Sequence, residues 1–355
     1  MEDIEKEFVR FTKNREEDIL LNDNNPYRIL RKTNRDLSAY YCSLPVFVHG
    51  RLLKPFWVKR ENGRIYEGIN ARICVADGRV IMENENGKME VRFDGEVELQ
   101  PTYNGIVAES SENNVKVFIR ADADRCVREN GSFWALMKSE YQPFFVLSGL
   151  FGRVKGGLCP LKMKAKREKD EFEVTIEGGT DTEKLLFEMN LHVPKLIFDT
   201  TVESKSPTKN NVFGSVAFLG RTEEYGEQWL YSRIDSMRMS DLSGYRVESA
   251  KLYLPRLDNG VSGKLEAYKL GSVWCSFGIS WDTKVAFSEK MKGVKSWGSY
   301  EEIEISDIVR DMLRVKEARN PGFVIKSREG SNCIAVATGD SYYRPQILKI
   351  QLKNT

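Results

Sequence analysis

The side chains in this sequence best suited to chemistry are flat aromatics, and the chemistry they suit is binding. Trp229 and Trp297 stand beside polar or turn residues, and Tyr342 and Tyr343 stand at a loop and strand start. A ring face can stack on the C–H groups of a sugar while polar groups at its rim hold the hydroxyls. These four are the candidate carbohydrate-binding residues. Catalytic constellations fare worse. Only two histidines occur, His49 and His192, which removes most zinc and serine-hydrolase schemes because both lean on histidine. His49 follows Val46-Phe47-Val48 and precedes Gly50, as a strand-end or turn residue would. Carboxylates are plentiful, for example Glu301-Glu302, but glycoside hydrolysis needs two of them at a set separation in a cleft. The sequence offers nothing to raise the pKa of either. No catalytic residue is assigned, and the chain reads as a non-enzyme.

Other reactive patterns fail on context. Cys42, Cys74, Cys126, Cys159, Cys275 and Cys333 contain no CxxC pair, so they read as free, mostly buried thiols. Gly156-Gly157 and Gly178-Gly179 belong to no phosphate-binding signature. The run from Lys162 to Arg167 alternates like the wet face of a strand. Asp199, Asp235 and Asp282 offer oxygen ligands to a structural calcium, although turn capping is the role assigned to each. No metal site and no cofactor is otherwise expected.

The totals restrict the partners. The 54 basic and 52 acidic residues nearly cancel, which argues against a nucleic-acid footprint over the whole molecule. A hydrophobic content of 41% supports folded domains, and 355 residues suggest two of them. No run of about 18 apolar residues exists to span a membrane. The opening MEDIEKEF has acidic residues at once and no apolar core, unlike a cleaved signal. The expected location is an extracellular surface or a virion-like particle reached without such a signal, and otherwise the cytoplasm.

Three regions must position the candidate residues. Residues 1–43 read as a helical arm and linker. Ile4, Phe8 and Phe11 share a face, Ile19, Leu20 and Leu21 close the segment, and Asn22 to Pro26 break it. The arm either packs on its own domain or docks on a neighbouring copy or larger particle. Residues 44–194 read as a β-rich domain. Asn62-Gly63, Asp77-Gly78, Asn86-Gly87, Asp94-Gly95, Asn104-Gly105 and Asn130-Gly131 punctuate short strands at hairpin spacing. Pro194 marks the boundary, and residues 195–355 form the third region. Within it, Ile303 and Ile305 alternate with Glu302 and Glu304 as in a strand. Ser306 is placed as an N-cap. Ile308, Val309, Met312 and Leu313 share a helical face, and Asn320-Pro321-Gly322 turns the chain into the apolar run Phe323-Val324-Ile325.

Five blocks in the third region keep a recognisable order. They run from Asp199-Thr200-Thr201-Val202 through Ser206-Pro207, Phe213-Gly214, Arg233-Ile234-Asp235 and Ser249-Ala250. They continue with Trp274, Ile279-Ser280-Trp281-Asp282, Ile305-Ser306-Asp307-Ile308-Val309 and Arg344-Pro345. This order resembles the DNRLRE domain, also called the disaggregatase-related repeat. Where that family has Asn-Tyr-Gly, this chain has Val212-Phe213-Gly214, which removes a hydroxyl. The resemblance implies a non-catalytic β-sandwich of jelly-roll type, related to carbohydrate-binding modules that take alginate, and it places Trp274 and Trp281 in the core. Residues 44–194 resemble only faintly the β-rich segment that precedes such modules in bacterial surface proteins.

The expectation is therefore an all-β protein: two β domains, the second with one short helix, and a helical arm. Its expected function is adhesion at a bacterial surface, holding a polysaccharide or cell-surface glycan. The alternative is a fibre, decoration or tail component of a phage-like particle, with the arm mediating assembly.

Overall fold

A computed structural model describes residues 19–20, 25, 27–32, 37–45, 47–48, 51–52, 55–60, 62–69, 71–121, 123, 125–129, 131–136, 143–242, 244–258, 263–314 and 320–354. The expected helix over residues 1–22 lies outside these, except for Ile19–Leu20, which pairs as a strand with Arg31 and Lys32. His49 also lies outside them. The described protein is all-β, and every strand pairing is antiparallel.

Four large sheets stack in pairs around two apolar cores. The first pair comes from the middle of the chain. Its eight-stranded sheet follows the order 162–168, 171–177, 114–121, 87–94, 79–84, 71–76, 63–68 and 58–60. Alternate residues such as Ile73, Val80, Met82, Met89, Val91, Val115 and Val117 face inward. The Asp77-Gly78 turn joins two of these strands with both residues at positive φ, 52° and 71°, as a tight hairpin of this hand requires. The facing sheet is built on Phe145–Val154 and Thr182–Leu191. Both strands are apolar on two faces. Leu147, Leu185 and Phe187 fill the first core, whereas Leu150, Phe151 and Leu186 point the other way and meet Val216, Phe218, Tyr225 and Ala335 of the second unit. Burial on both faces explains why these strands read as apolar runs without clean alternation.

The second unit recruits both ends of the chain. One of its sheets contains Arg28–Lys32, Leu37–Cys42, Ile347–Asn354, Tyr245–Pro255, Tyr300–Glu304 and Val294–Trp297. Its other sheet contains Ile197–Glu203, Gly226–Ile234, Phe323–Ser327, Leu265–Leu270 and Phe287–Lys290, with Val216–Thr222 pairing Gly226–Ile234. Residues 28–32 and 37–42 are therefore strands of this unit and not a linker. Leu37–Cys42 lies in full register against Ile347–Leu352, and Tyr27, Leu30, Leu37, Ala39 and Tyr41 join the same core as Leu348 and Ile350. The middle sandwich is an insertion between Leu37–Cys42 and Ile197–Glu203.

The helix Ser306–Arg314, here α1, follows the strand Tyr300–Glu304 and buries Ile308, Val309 and Met312 in that core. Its entry differs from the expected cap. The Ser306 hydroxyl accepts from the Ala250 N–H at 2.7 Å and donates to Glu304. The first helical carbonyl is that of Ile305, which accepts from the Val309 N–H at 3.1 Å. Ser306 thus ties the helix start to the neighbouring strand instead of capping it. Asp307 in the first turn pairs with Arg310 at 2.9 Å.

All six cysteines are free, but only Cys42 is buried; Cys275 is exposed and the other four are half-buried. In the folded protein Cys275 is expected to react first with a thiol reagent and Cys42 only after unfolding. Equal labelling rates at the two positions would contradict this arrangement. Among the described residues, no helix is long and apolar enough to cross a membrane.

Candidate functional site

The candidate site lies on the outer face of the sheet carrying Gly226–Ile234, Phe323–Ser327, Leu265–Leu270 and Phe287–Lys290. Alternation along each strand divides the side chains. Leu230, Ala267, Phe323 and Ile325 fill the inner core. Trp229, Tyr231, Tyr268, Leu270 and Val324 take the opposite phase and face outward. Residues 271–286 fold over part of this outer face. Trp274 and Ile279 from that segment bury against Val202, Tyr231, Leu270 and Val324. Asn210 anchors it by donating from Nδ2 to the carbonyls of Ser276 and Ile279, each at 2.6 Å. Trp274 donates from Nε1 to the Pro321 carbonyl at 2.8 Å and fills space as a core residue.

The uncovered part of the face is an aromatic cluster with two cations. Trp229 and Trp281 are half-buried, with ring centroids 5.0 Å apart. Phe287, 38% exposed, lies 5.9 Å from Trp229 and 4.7 Å from Tyr268. The Lys284 ammonium sits 3.3 Å from the Trp281 centroid and 4.8 Å from that of Trp229. Lys326 lies 5.2 Å from Trp229 and 5.3 Å from Tyr268. Among the described residues neither lysine forms an ion pair. Partial burial pulls the Lys284 pKa down, against the pull of Glu227 and Asp282. Carboxylates fix the rings from the rim: Glu227 accepts from Trp229 Nε1 at 2.7 Å, and Glu266 accepts from the Tyr268 hydroxyl at 2.8 Å. The arrangement offers stacking faces together with two positive charges, a surface suited to a planar or anionic ligand.

The four residues singled out from the sequence do not form one site. Trp229 belongs to this cluster. Trp297, 39% exposed, stands on an edge strand of the opposite sheet and packs on Tyr253 at 5.9 Å. Tyr343 is half-buried, 6.3 Å from Phe151 of the inserted sandwich. Tyr342 cannot present a stacking face, because it is only 3% exposed. Its hydroxyl accepts from the Val193 N–H at 3.1 Å and donates to the Leu191 carbonyl at 3.2 Å. Trp281, assigned to the core, is instead half of the cluster. Sequence reasoning also missed Tyr268, Phe287, Lys284 and Lys326. Strand phase was the available signal for Tyr268 and Lys326, since each directly follows a residue of the inner core, Ala267 and Ile325.

A second polar feature occupies the seam between the two sandwiches. Glu188 is fully buried, and its two oxygens accept from the backbone N–H groups of Tyr342 at 3.3 Å and Tyr343 at 2.9 Å. Burial pushes its pKa up to about 7 against the pull of Ser215 and Lys195. Asp199 accepts from the Gly339 N–H at 2.5 Å and from Gln346 Nε2 at 3.1 Å, and burial pushes it to about 7 as well. Burial and then Lys195 hold His192 well below its ordinary pKa, so it stays neutral. The junction itself is clamped: the Tyr27 hydroxyl donates to the Pro194 carbonyl at 2.5 Å, and the Leu196 N–H donates to the Ser43 carbonyl at 3.0 Å.

The three aspartates considered for calcium are engaged locally. Asp199 serves the seam, Asp235 accepts from the Met237 N–H at 3.0 Å and pairs with Arg238 at 3.2 Å, and Asp282 lies beside Lys284 in the covering segment. Among the described residues no group of three or more His, Cys, Asp or Glu side chains could hold a metal ion. The groove of about 420 Å³ beside α1 is lined by charges of both signs, including Lys269, Glu289, Asp307 and Arg310, and by no aromatic ring.

No family model matches the sequence, and no curated protein matches it. Among solved structures, the N-terminal domain of the Streptococcus gordonii adhesin Sgo0707 is similar at 7% identity over 96% of this chain and 85% of that one. The TM-score is 0.16, a superposition too loose to indicate a common fold.

Proposed function

We propose that this chain is a non-catalytic binding protein of a bacterial surface, and that its second sandwich, of jelly-roll type, holds a polysaccharide on the outer-face aromatic cluster. The observation that supports this reading is the pair of indoles at 5.0 Å with Lys284 above them and Lys326 at their side. The order of motifs like those of the DNRLRE domain supports it independently. The rings stack on sugar faces, and the two ammonium groups select chains that carry carboxylates, such as uronates. No proton has to be moved and no bond broken, so the paired carboxylates at the rim orient rings and do nothing more.

Affinity electrophoresis of the full chain tests this reading. Retardation is expected in gels containing alginate and not in gels containing a neutral glucan. The Trp229→Ala variant is expected to bind at least about tenfold more weakly, since losing one stacking face removes about 1.4 kcal/mol or more. Its melting should change little, because the ring is half-exposed and outside the inner core. Migration unaffected by any glycan, or by the loss of Trp229, would sink the proposal.

A further inference from the structure

Lys195 and Asp340 face each other in the seam, with Nζ 2.9 Å from Oδ1 and side chains only 5% and 9% exposed. A primary amine and a carboxyl group are here in contact and out of water. The Tyr342 ring covers the amine at 4.5 Å. Glu188 lies within electrostatic reach of Lys195, held by the N–H groups two and three residues beyond Asp340. The Ser215 hydroxyl lies between the Asp340 backbone carbonyl, to which it donates at 3.5 Å, and the Glu188 carboxyl group. His192 is the remaining titratable imidazole nearby, and it is neutral.

A plain ion pair in such a place recovers its desolvation cost poorly. The same arrangement is well set for another outcome. We propose that Lys195 and Asp340 condense into an intramolecular amide, with Glu188 relaying the proton. The Lys195 ammonium gives one proton to Glu188, which passes it to the Asp340 carboxylate, and the freed Nζ attacks Cγ of the neutral carboxyl. The C–N bond forms and a C–O bond breaks. The nitrogen's second proton passes through Glu188 to the departing hydroxyl, which leaves as water, and Glu188 ends as it began. An ammonium and a carboxylate have become one amide and one water, with no oxidant or co-reactant. Burial raises the Asp340 pKa against the pull of Lys195. Fixed contact replaces a bimolecular encounter. The bond would join the entry to the first strand after the inserted sandwich, Ile197–Glu203, to the loop before the last strand, Ile347–Asn354. The loop from residue 195 to residue 340 would then be closed covalently, which constrains the unfolded chain.

The test is the intact mass of the denatured full chain, with both ends checked by peptide mapping. The expected mass is one water below the sequence mass. Trypsin should then release residues 185–205 joined to residues 329–349, uncut at Lys195. A mass equal to the sequence mass, with both peptides separate, would overturn the bond. This measurement needs no variant, so it stands even if substitutions here fail to fold. Lys195→Met and Asp340→Ala are each expected to restore the missing water. Glu188→Gln, if its circular dichroism matches the native chain, should stay at full sequence mass, whereas Glu188→Asp should form part of the bond on refolding, faster as pH rises. Complete bond formation in Glu188→Gln would overturn the role given to Glu188.

Discussion

A chain beginning at residue 44 is expected to lose the fold of its second sandwich. The cut removes three strands, Ile19–Leu20, Arg28–Lys32 and Leu37–Cys42, from that unit's first sheet and leaves Ile347–Asn354 as a bare edge. It also removes Tyr27, Leu30, Leu37 and Tyr41, which are at most 7% exposed. Each such side chain contributes about 1.5–3 kcal/mol on burial, or about 6–12 kcal/mol for the four. A domain's whole margin is about 5–15 kcal/mol, so the loss consumes most or all of it. The Ser43 contacts go too, including the Gln346 N–H to Ser43 Oγ bond at 3.1 Å. Circular dichroism and a thermal melt of the truncated chain check this result. A truncated monomer melting within a few degrees of the full chain would show that residues 28–42 are dispensable.

The second large effect concerns pH. Asp199 has an ordinary value of 3.8 and a folded value of about 7, raised by burial. Below about 3.8 both folded and unfolded chains hold the proton, and the group adds no slope. Between 3.8 and 7 the unfolded chain releases it while the folded chain keeps it, so stability falls as pH rises and the loss is complete above about 7. At about 1.36 kcal/mol per pH unit, the decline amounts to about 4 kcal/mol. Glu188 adds a decline of the same sign between 4.5 and about 7. Glu173 and Glu266 are shifted downward by Lys166 and Lys290 and oppose it, but the lysine of each pair is exposed to solvent, so these pairs contribute little. Melting temperatures of the native chain and of Asp199→Asn from pH 4 to pH 8 provide the check. The native chain should lose stability with rising pH more steeply than the variant. Parallel curves would mean that Asp199 is already ionised in the folded state at low pH.

Local rules carried the sequence reading well where local physics decides the structure. The strand, helix and return strand from Tyr300 to Ser327 follow the alternation of Ile303 and the helical spacing of Ile308, Val309 and Met312. The Asp77-Gly78 hairpin follows from the positive φ that both residues tolerate. Failures came where a distant partner decides. Arg28–Lys32 and Leu37–Cys42 are short and lie beside breakers, and only pairing with the opposite end of the chain makes them strands. Tyr342 and Tyr343 are neighbours, and nothing local says that the first is sealed by residues 191–193 while the second reaches the rim. The hydroxyl of Ser306 had a good local use as a cap, but the Ala250 N–H across the sheet took it. Trp274 and Trp281 look alike in sequence, and only the path of the covering segment separates a core ring from a surface one.

The pairing of Leu37–Cys42 with Ile347–Leu352 also imposes an order in time. During synthesis the early strand leaves the ribosome about 300 residues before its partner, a wait of about 15–60 s at 5–20 residues per second. The inserted sandwich, whose core draws on residues 66–191, is complete long before then and can fold on its own schedule. The early strand can meanwhile pair only with Arg28–Lys32, and its other edge stays open to chaperones or to the same segment of another nascent chain. Production of this protein should therefore respond to translation speed near the end of the message more than to changes near its middle.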